Sequence, residues 1–213
     1  MSSTQQDACY ERLRAWLMVG RFVPGERLKI RQVADELGLG TMPVRAALQR
    51  LAAEGALVNV PHAGVTVPLP TRAEFDDVLG IRLLLEGEAA ERGALRCGAA
   101  DLATLRKLAR RMAEALRRRD GKAYLEANEA FHRLLYRAAG SPTLLGLIEA
   151  VWLRVGPLSN RLFDDADAPP VLNDAHEDVL AALARRDGPA VRRATERDLF
   201  VAGQFLRKAC RTD

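Results

Sequence analysis

Apolar residues in the first third of the chain recur at helical intervals and then switch to strand intervals. Tyr10, Leu13, Leu17 and Met18 make one amphipathic stripe, predicting a helix from about Asp7 to Gly20. Ile30, Val33, Ala34 and Leu37 make a second, closed by Gly38 where a helix needs a permissive C′ residue. A third starts three residues later, with Thr41 at the expected N-cap and Pro43 in the first turn, where its missing donor costs little. Val44, Leu48 and Leu51 form its apolar face, and Met42, Arg45, Gln49 and Arg50 lie off that face. After Gly55 the period falls to two. Residues 57–60 and 65–67 are short β-branched runs joined by Pro61-His62-Ala63-Gly64, a predicted hairpin or wing. Between the first two helices, Phe22 to Leu28 reads as a Pro-Gly turn leading into a short extended piece.

From Thr71 onward the pattern is helical almost throughout. Helices are expected over 71–96, 101–119, 122–139, 143–162, 171–186 and 188–210, separated by Gly- and Pro-bearing breaks, with Asp101 and Ser141 as caps. Pro68-Leu69-Pro70 marks a boundary stiff enough to couple two halves. The predicted fold is mostly α: a winged helix-turn-helix domain over residues 1–70, then an all-α antiparallel helix bundle over residues 71–213.

Two short helices and a hairpin, with Arg45 and its neighbours outward, suit a helix that enters a DNA groove. A small packing unit with no ligand is the alternative. The charge leaves both open: 213 residues carry a net +4, with a pI near 9.2. Residues 1–70 hold eight Lys and Arg against six Asp and Glu, so DNA affinity must come from the placement of arginines and from two copies acting together. With 48% of residues apolar, both halves can build cores. Cys9, Cys97 and Cys210 match no zinc-ribbon or redox spacing. The first residues lack the pattern of a signal peptide, and no run of 18 apolar residues occurs. A cytoplasmic protein with no membrane partner is expected.

Between residues 8 and 70 the chain is more specific than a generic helix pair. The succession Pro24-Gly25-Glu26-Arg27-Leu28, Val33-Ala34-Asp35-Glu36-Leu37-Gly38, Pro43-Val44-Arg45-Ala46-Ala47-Leu48, Leu51-Ala52-Ala53-Glu54-Gly55 and Gly64-Val65-Thr66-Val67 resembles the winged helix-turn-helix of GntR-family bacterial transcription regulators. The resemblance implies that Arg31 and Arg45 contact operator DNA and that the wing around His62 and Gly64 enters the neighbouring minor groove. Thr41, Met42 and Gln49 complete the expected DNA-facing set. Thr41 stands where many members carry an arginine, so the usual operator sequence does not transfer. His62 also reads as an ordinary turn residue, and Gly64 as a backbone requirement of the wing.

The second half sets polar residues among apolar ones. Asn128 and His132, four apart, share a helix face beside Phe131, Leu134 and Leu135, while His176 and Asp198 also lie in apolar surroundings. If their three helices converge, two imidazoles, an aspartate and an amide form a donor set for a divalent metal such as zinc, nickel or manganese. Satisfied core histidines with exposed carboxylates are the alternative. No acid–base pair or nucleophile stands out, so an enzyme is not expected.

Ile81-Arg82-Leu83-Leu84-Leu85-Glu86, Asn128-Glu129-Ala130-Phe131-His132, and His176 ahead of Ala181-Ala182-Leu183-Ala184-Arg185-Arg186-Asp187 resemble the FCD ligand-binding domain of the FadR subgroup, over residues 71–210. That resemblance implies a metal held by Asp, His, His and His on facing helices. Asn128, His132, His176 and Asp198 take those places, with an amide for the first carboxylate and a carboxylate for the last histidine. Arg82, one turn before Glu86, suits bidentate capture of a small organic acid in the same cavity; an Arg82–Glu86 helix brace is the alternative. Together the two halves imply a homodimeric regulator, a repressor released from a pseudo-palindromic operator when the acid binds, with the change passed through Pro68-Leu69-Pro70. A constitutive DNA-binding structural protein whose helical domain only dimerises is the rival reading.

Overall fold

The computed structural model describes residues 3–61, 64–164 and 168–212. Its first unit packs α1 (Ser3–Met18), α2 (Ile30–Leu37) and α3 (Thr41–Ala53) beside a two-stranded antiparallel sheet, β1 (Val58–Val60) and β2 (Gly64–Thr66). Tyr10, Leu13 and Leu17 of α1 meet Val44, Leu48 and Leu51 of α3 in a common core, the division into apolar and polar faces that the periodicity predicts. Leu57 and Val67 are buried but flank the strands, so the paired segment is shorter than the apolar runs. The register sets Val58 against Thr66, Asn59 against Val65 and Val60 against Gly64. Gly64 has φ +81°, a conformation that disfavours any side chain, so the backbone itself asks for glycine there. The extended piece at Arg27–Leu28 joins this sheet through a bridge from Arg27 to Thr66.

The second unit is a bundle of α4 (Arg72–Arg96), α5 (Ala99–Arg117), α6 (Gly121–Ala138), α7 (Pro142–Val155), α8 (Ala168–Ala184) and α9 (Gly188–Lys208). Its longest helix, α4, packs mainly on α9, α6 and α7, and α5 packs on α6 and α8. Side-chain caps set the starts. Thr71, Asp120, Ser141 and Asp187 accept from the backbone amides of Glu74, Ala123, Leu144 and Ala190. Two expected caps differ. Asp101 works from the third helical position, accepting from the Gly98 amide at 3.0 Å, so α5 starts two residues early. Thr41 is the first helical residue, and Gly40 is the N-cap, with no side-chain cap bond.

The helix expected over 143–162 is two elements. After Val155 the chain tightens into a 3₁₀ helix, Gly156–Phe163, because Pro157 has no N–H to continue the α-helical ladder. The same spot is where the two units touch. A Cβ on Gly156 would lie 2.4 Å from the Leu17 carbonyl oxygen and 2.8 Å from the Met18 Cα, so only glycine lets α1 come this close. Asn160 Nδ2 donates to the Phe22 carbonyl at 3.0 Å across the same seam. Among the described residues no helix is long and apolar enough to cross a membrane. Cys9, Cys97 and Cys210 are free thiols, and burial raises the pKa of all three, Cys97 and Cys210 to about 11.

Candidate functional site

The outward face of α3 carries Thr41, Met42, Arg45 and Gln49, all exposed, with Met42 at 64%. Its two arginines are used differently. Arg50 lies over the Tyr10 ring at 3.7 Å and pairs with Glu54 at 3.1 Å and Asp7 at 3.6 Å, while the Tyr10 hydroxyl donates to Glu54 at 2.6 Å. Arg50 therefore holds α3 against α1. No described acidic group pairs with Arg45, nor with exposed Arg31 at the start of α2. Gly64 closes the wing beside the Arg27 side chain. His62 lies outside the described residues.

In the bundle, α6, α8 and α9 bring together the four polar residues that periodicity alone left apart. Ligand atoms of His132, His176 and Asp198 all lie within 4.8 Å of one another, and all three residues are buried. His132 Nε2 is 3.1 Å from Asp198 Oδ2, and His176 Nε2 is 3.0 Å from Asn128 Oδ1. The other ring nitrogens are already occupied. His176 Nδ1 donates to the Leu172 carbonyl at 2.9 Å, which only accepts, so the proton of a neutral ring belongs there. His132 Nδ1 is 3.0 Å from the Tyr136 hydroxyl, which is itself hydrogen-bonded to Glu86. Both histidines turn Nε2 toward the cluster, where His132 Nε2–H donates to Asp198.

Electrostatics agrees for His176. Burial lowers the His176 pKa; Asp198 opposes that, His132 adds to it, and the ring is held neutral. Burial also works to raise the Asp198 pKa, but His176, His132 and Arg82 together overcome it and hold the carboxylate ionised. A bare Nε2 facing the Asn128 carbonyl oxygen sets two acceptors 3.0 Å apart. They repel unless the amide is turned to present its NH₂ or a cation lies between them. Two imidazole nitrogens, a carboxylate and an amide oxygen with second-sphere partners fixed on both rings fit a divalent cation. The 3.0 and 3.1 Å separations also match the roughly 3.0 Å between neighbouring ligands held about 2.1 Å from one ion at right angles.

Beside the cluster is a cavity of about 70 Å³, lined by Asn128, His132 and Asp198 together with Arg82, Glu129, Trp152 and Met18. It is smaller than the roughly 150 Å³ that holds benzene, so it suits water or a very small molecule in this conformation. Arg82 lines the cavity while pairing with Glu86 at 2.6 Å through Nε, and Glu86, only 1% exposed, stands behind it, outside the cavity wall. The brace and the inward arginine are thus one arrangement, in which Arg82 retains donors beyond those bonded to Glu86.

Three residues escaped the sequence. Tyr136 links His132 to Glu86, and its place four residues after His132 on α6 was the available signal. Trp152 on α7 lines the cavity with a buried Nε1–H that has no hydrogen-bond partner among the described residues. Met18 lines it from α1, across the seam between the units. Glu129, also at the wall, starts an ion-pair chain: Arg133 pairs with Glu129 and with Glu149 at 2.9 Å, and Glu149 pairs with Arg14 of α1 at 2.9 Å.

A DNA-reading winged helix joined to a helical bundle with an enclosed polar site defines a transcription regulator. Comparison with family models agrees for both parts: residues 5–67 match the bacterial regulatory proteins of the gntR family, and residues 77–200 match the FCD domain. The chain belongs to the GntR family and carries an FCD domain; such proteins are DNA-binding transcription factors and not enzymes. It is 32% identical over 178 residues to the HTH-type transcriptional regulator McbR of Escherichia coli, covering 82% of this chain and 80% of that protein. The HTH-type transcriptional repressor RspR of the same organism is 27% identical over 199 residues, covering 93% and 87%. A solved structure of E. coli McbR superposes with a TM-score of 0.87 over 98% of this chain and 99% of its own, at 29% identity. A GntR regulator from Rhodococcus shares the fold, with a TM-score of 0.77 at 20% identity over 98% of this chain and all of its own.

Proposed function

We propose that this protein is a cytoplasmic, homodimeric repressor of the FadR subgroup that leaves a pseudo-palindromic operator when a small organic acid enters the bundle. The domain division at residues 70 and 71 belongs to this reading, with α3 and the wing as the DNA-facing surface: Arg31, Thr41, Met42, Arg45, Gln49, His62 and Gly64. One observation carries it: His132, His176, Asp198 and Asn128 converge beside a cavity whose wall includes Arg82 and Met18 of the DNA-binding unit. A divalent metal, zinc, nickel or manganese, supplies a Lewis acid for a carboxylate oxygen when bound by those four residues. Arg82 contributes the second cationic contact and Glu86 fixes the direction of its guanidinium. Trp152 Nε1–H, unpartnered, offers a donor to an acceptor on the acid.

The coupling has a shorter route than Pro68-Leu69-Pro70. Arrival of an acid against Glu129 and Met18 disturbs the Glu129–Arg133–Glu149–Arg14 chain and the packing of α1 on the end of α7. A protein whose bundle only dimerised would have no use for buried charged groups around a cavity, since such groups are costly without a partner. Elemental analysis of protein purified without added metal, followed by thermal shift with a panel of two- to six-carbon mono- and dicarboxylic acids, tests the reading. Stoichiometric metal and an acid-specific rise in melting temperature, absent from His132→Ala, are expected. No metal at stoichiometric level, no uptake on titration and no acid response would sink it.

A further inference from the structure

The protein's excess positive charge is concentrated on the later turns of one bundle helix and the turn that follows it, remote in sequence from the DNA-reading unit. Residues 106–119 contain Arg106, Lys107, Arg110, Arg111, Arg117, Arg118 and Arg119 against Glu114 alone, a net +6 from seven bases minus one acid. The chain total is +4, so the other 199 residues sum to −2. On α5 and its C-cap these side chains fall in two adjacent rows, Arg106, Arg110 and Arg117 in one and Lys107, Arg111 and the C-cap Arg118 in the other, each spaced by four and then seven residues. All are exposed. Glu114 pairs with Arg117 and Arg118, and no described acidic side chain pairs with Arg106, Lys107, Arg110 or Arg111. Lys107, Arg110, Arg111 and Arg118 line a groove of about 380 Å³ at the junction of α5 and α6, where Glu114 and Asp120 are the acidic minority.

Solvation alone asks for polar residues on this face, not for so large an excess of one sign, with Glu114 the one acid between the rows. Like charges four apart on a helix repel, so the arrangement weakens the isolated helix in the absence of a polyanion. The opposite face of α5, Leu105, Leu108, Ala109, Met112 and Ala115, is buried in the bundle, leaving no apolar surface to enter a membrane interface. Arginine predominates over lysine, which suits bidentate contact with phosphate. The two rows extend about 18 Å from residue 106 to residue 118, several phosphate spacings along a strand. A protein already held on DNA by α3 meets further duplex at high local concentration.

We propose that the paired basic rows of α5 form a second DNA-binding surface, which takes the phosphate backbone of duplex outside the segment read by α3, without regard to its sequence. Full-length wild type, Arg106→Gln/Arg110→Gln/Arg111→Gln, and a charge-matched control, Arg185→Gln/Arg186→Gln/Arg193→Gln, provide the test. Fluorescence anisotropy measures affinity for a mixed-sequence duplex of about 60 base pairs as KCl rises from about 50 to about 200 mM. The α5 variant is expected to flatten the slope of log affinity against log salt by about 2.7, at about 0.9 for each of three lost phosphate contacts. The control leaves the slope within about one contact's worth, and all three proteins melt alike because the changed residues are exposed. Equal flattening by the two triples assigns the effect to net charge and overturns the proposal. So does an α5 variant that binds the duplex as the wild type does, whether or not it has lost an acidic protein partner or phosphatidylserine vesicles.

Discussion

Asp198 is both the ionised partner of His132 and the one carboxylate of the candidate metal cluster, so replacing it separates charge from shape. Asp198→Asn keeps the volume and removes the charge; retained metal should fall below stoichiometric level, while Asn128→Asp, which adds an anionic ligand, should raise it. Inductively coupled plasma analysis of the purified variants reads both outcomes. Tyr136→Phe takes away the oxygen that orients His132 and should weaken metal binding by about 10- to 100-fold without touching a ligand. Competition with a chromophoric chelator measures that loss. At this scale the sequence carries what lies on one helix: Asn128 and His132 follow from four-residue spacing, and the same spacing is the unused signal for Tyr136. The approach of His176 and Asp198 does not, because α8 and α9 meet α6 through packing over distances that no local pattern encodes. The same limit hides Trp152, an α7 residue with an apolar pattern and a donor left unpaired by its surroundings.

Two arginines five residues apart on α3 have opposite assignments, and the element explains why. Arg45 lies on the outward face, and Arg50 lies where α3 meets Tyr10 and Asp7 at the α1 surface. Arg45→Ala should cost about 1–3 kcal/mol of specific DNA affinity, a loss of roughly ten- to a hundredfold, with the melting curve unchanged. Arg50→Ala should do the reverse in kind, lowering the melting temperature through the lost cation–π contact and leaving DNA affinity in place. Operator binding and thermal denaturation of the two variants, run side by side, distinguish the assignments; equal effects in either assay would count against them. Periodicity fixed the faces of α3 well because one apolar stripe faces one core. It missed the break after Val155, since the 142–163 stretch keeps an apolar pattern and only the missing N–H of Pro157 forces the tighter turn.

For the molecule as a whole, the decisive feature is the seam between the units, where Arg14 and Glu149 are 135 positions apart in sequence and 2.9 Å apart in space. Nothing in local spacing pairs such residues, which is why the sequence pointed to the Pro68-Leu69-Pro70 link instead. Glu149→Gln cuts the ion-pair chain at its centre and leaves both the cavity wall and α3 unchanged in composition. The variant should bind duplex DNA as the wild type does, but lose the shift of about fivefold or more that a stabilising acid from the carboxylate panel imposes on the wild type. An acid shift of wild-type size in the variant would return the coupling to the linker.

Met18 has a further consequence, because one side chain belongs to the DNA-binding unit and to the cavity wall at once. Under the proposed mechanism linkage then runs both ways: whatever factor an acid applies to operator affinity, saturating operator would apply to the acid's own dissociation constant. A cell with many operator copies would thus need more acid for the same occupancy, and the sensor's threshold would depend on how much DNA it serves.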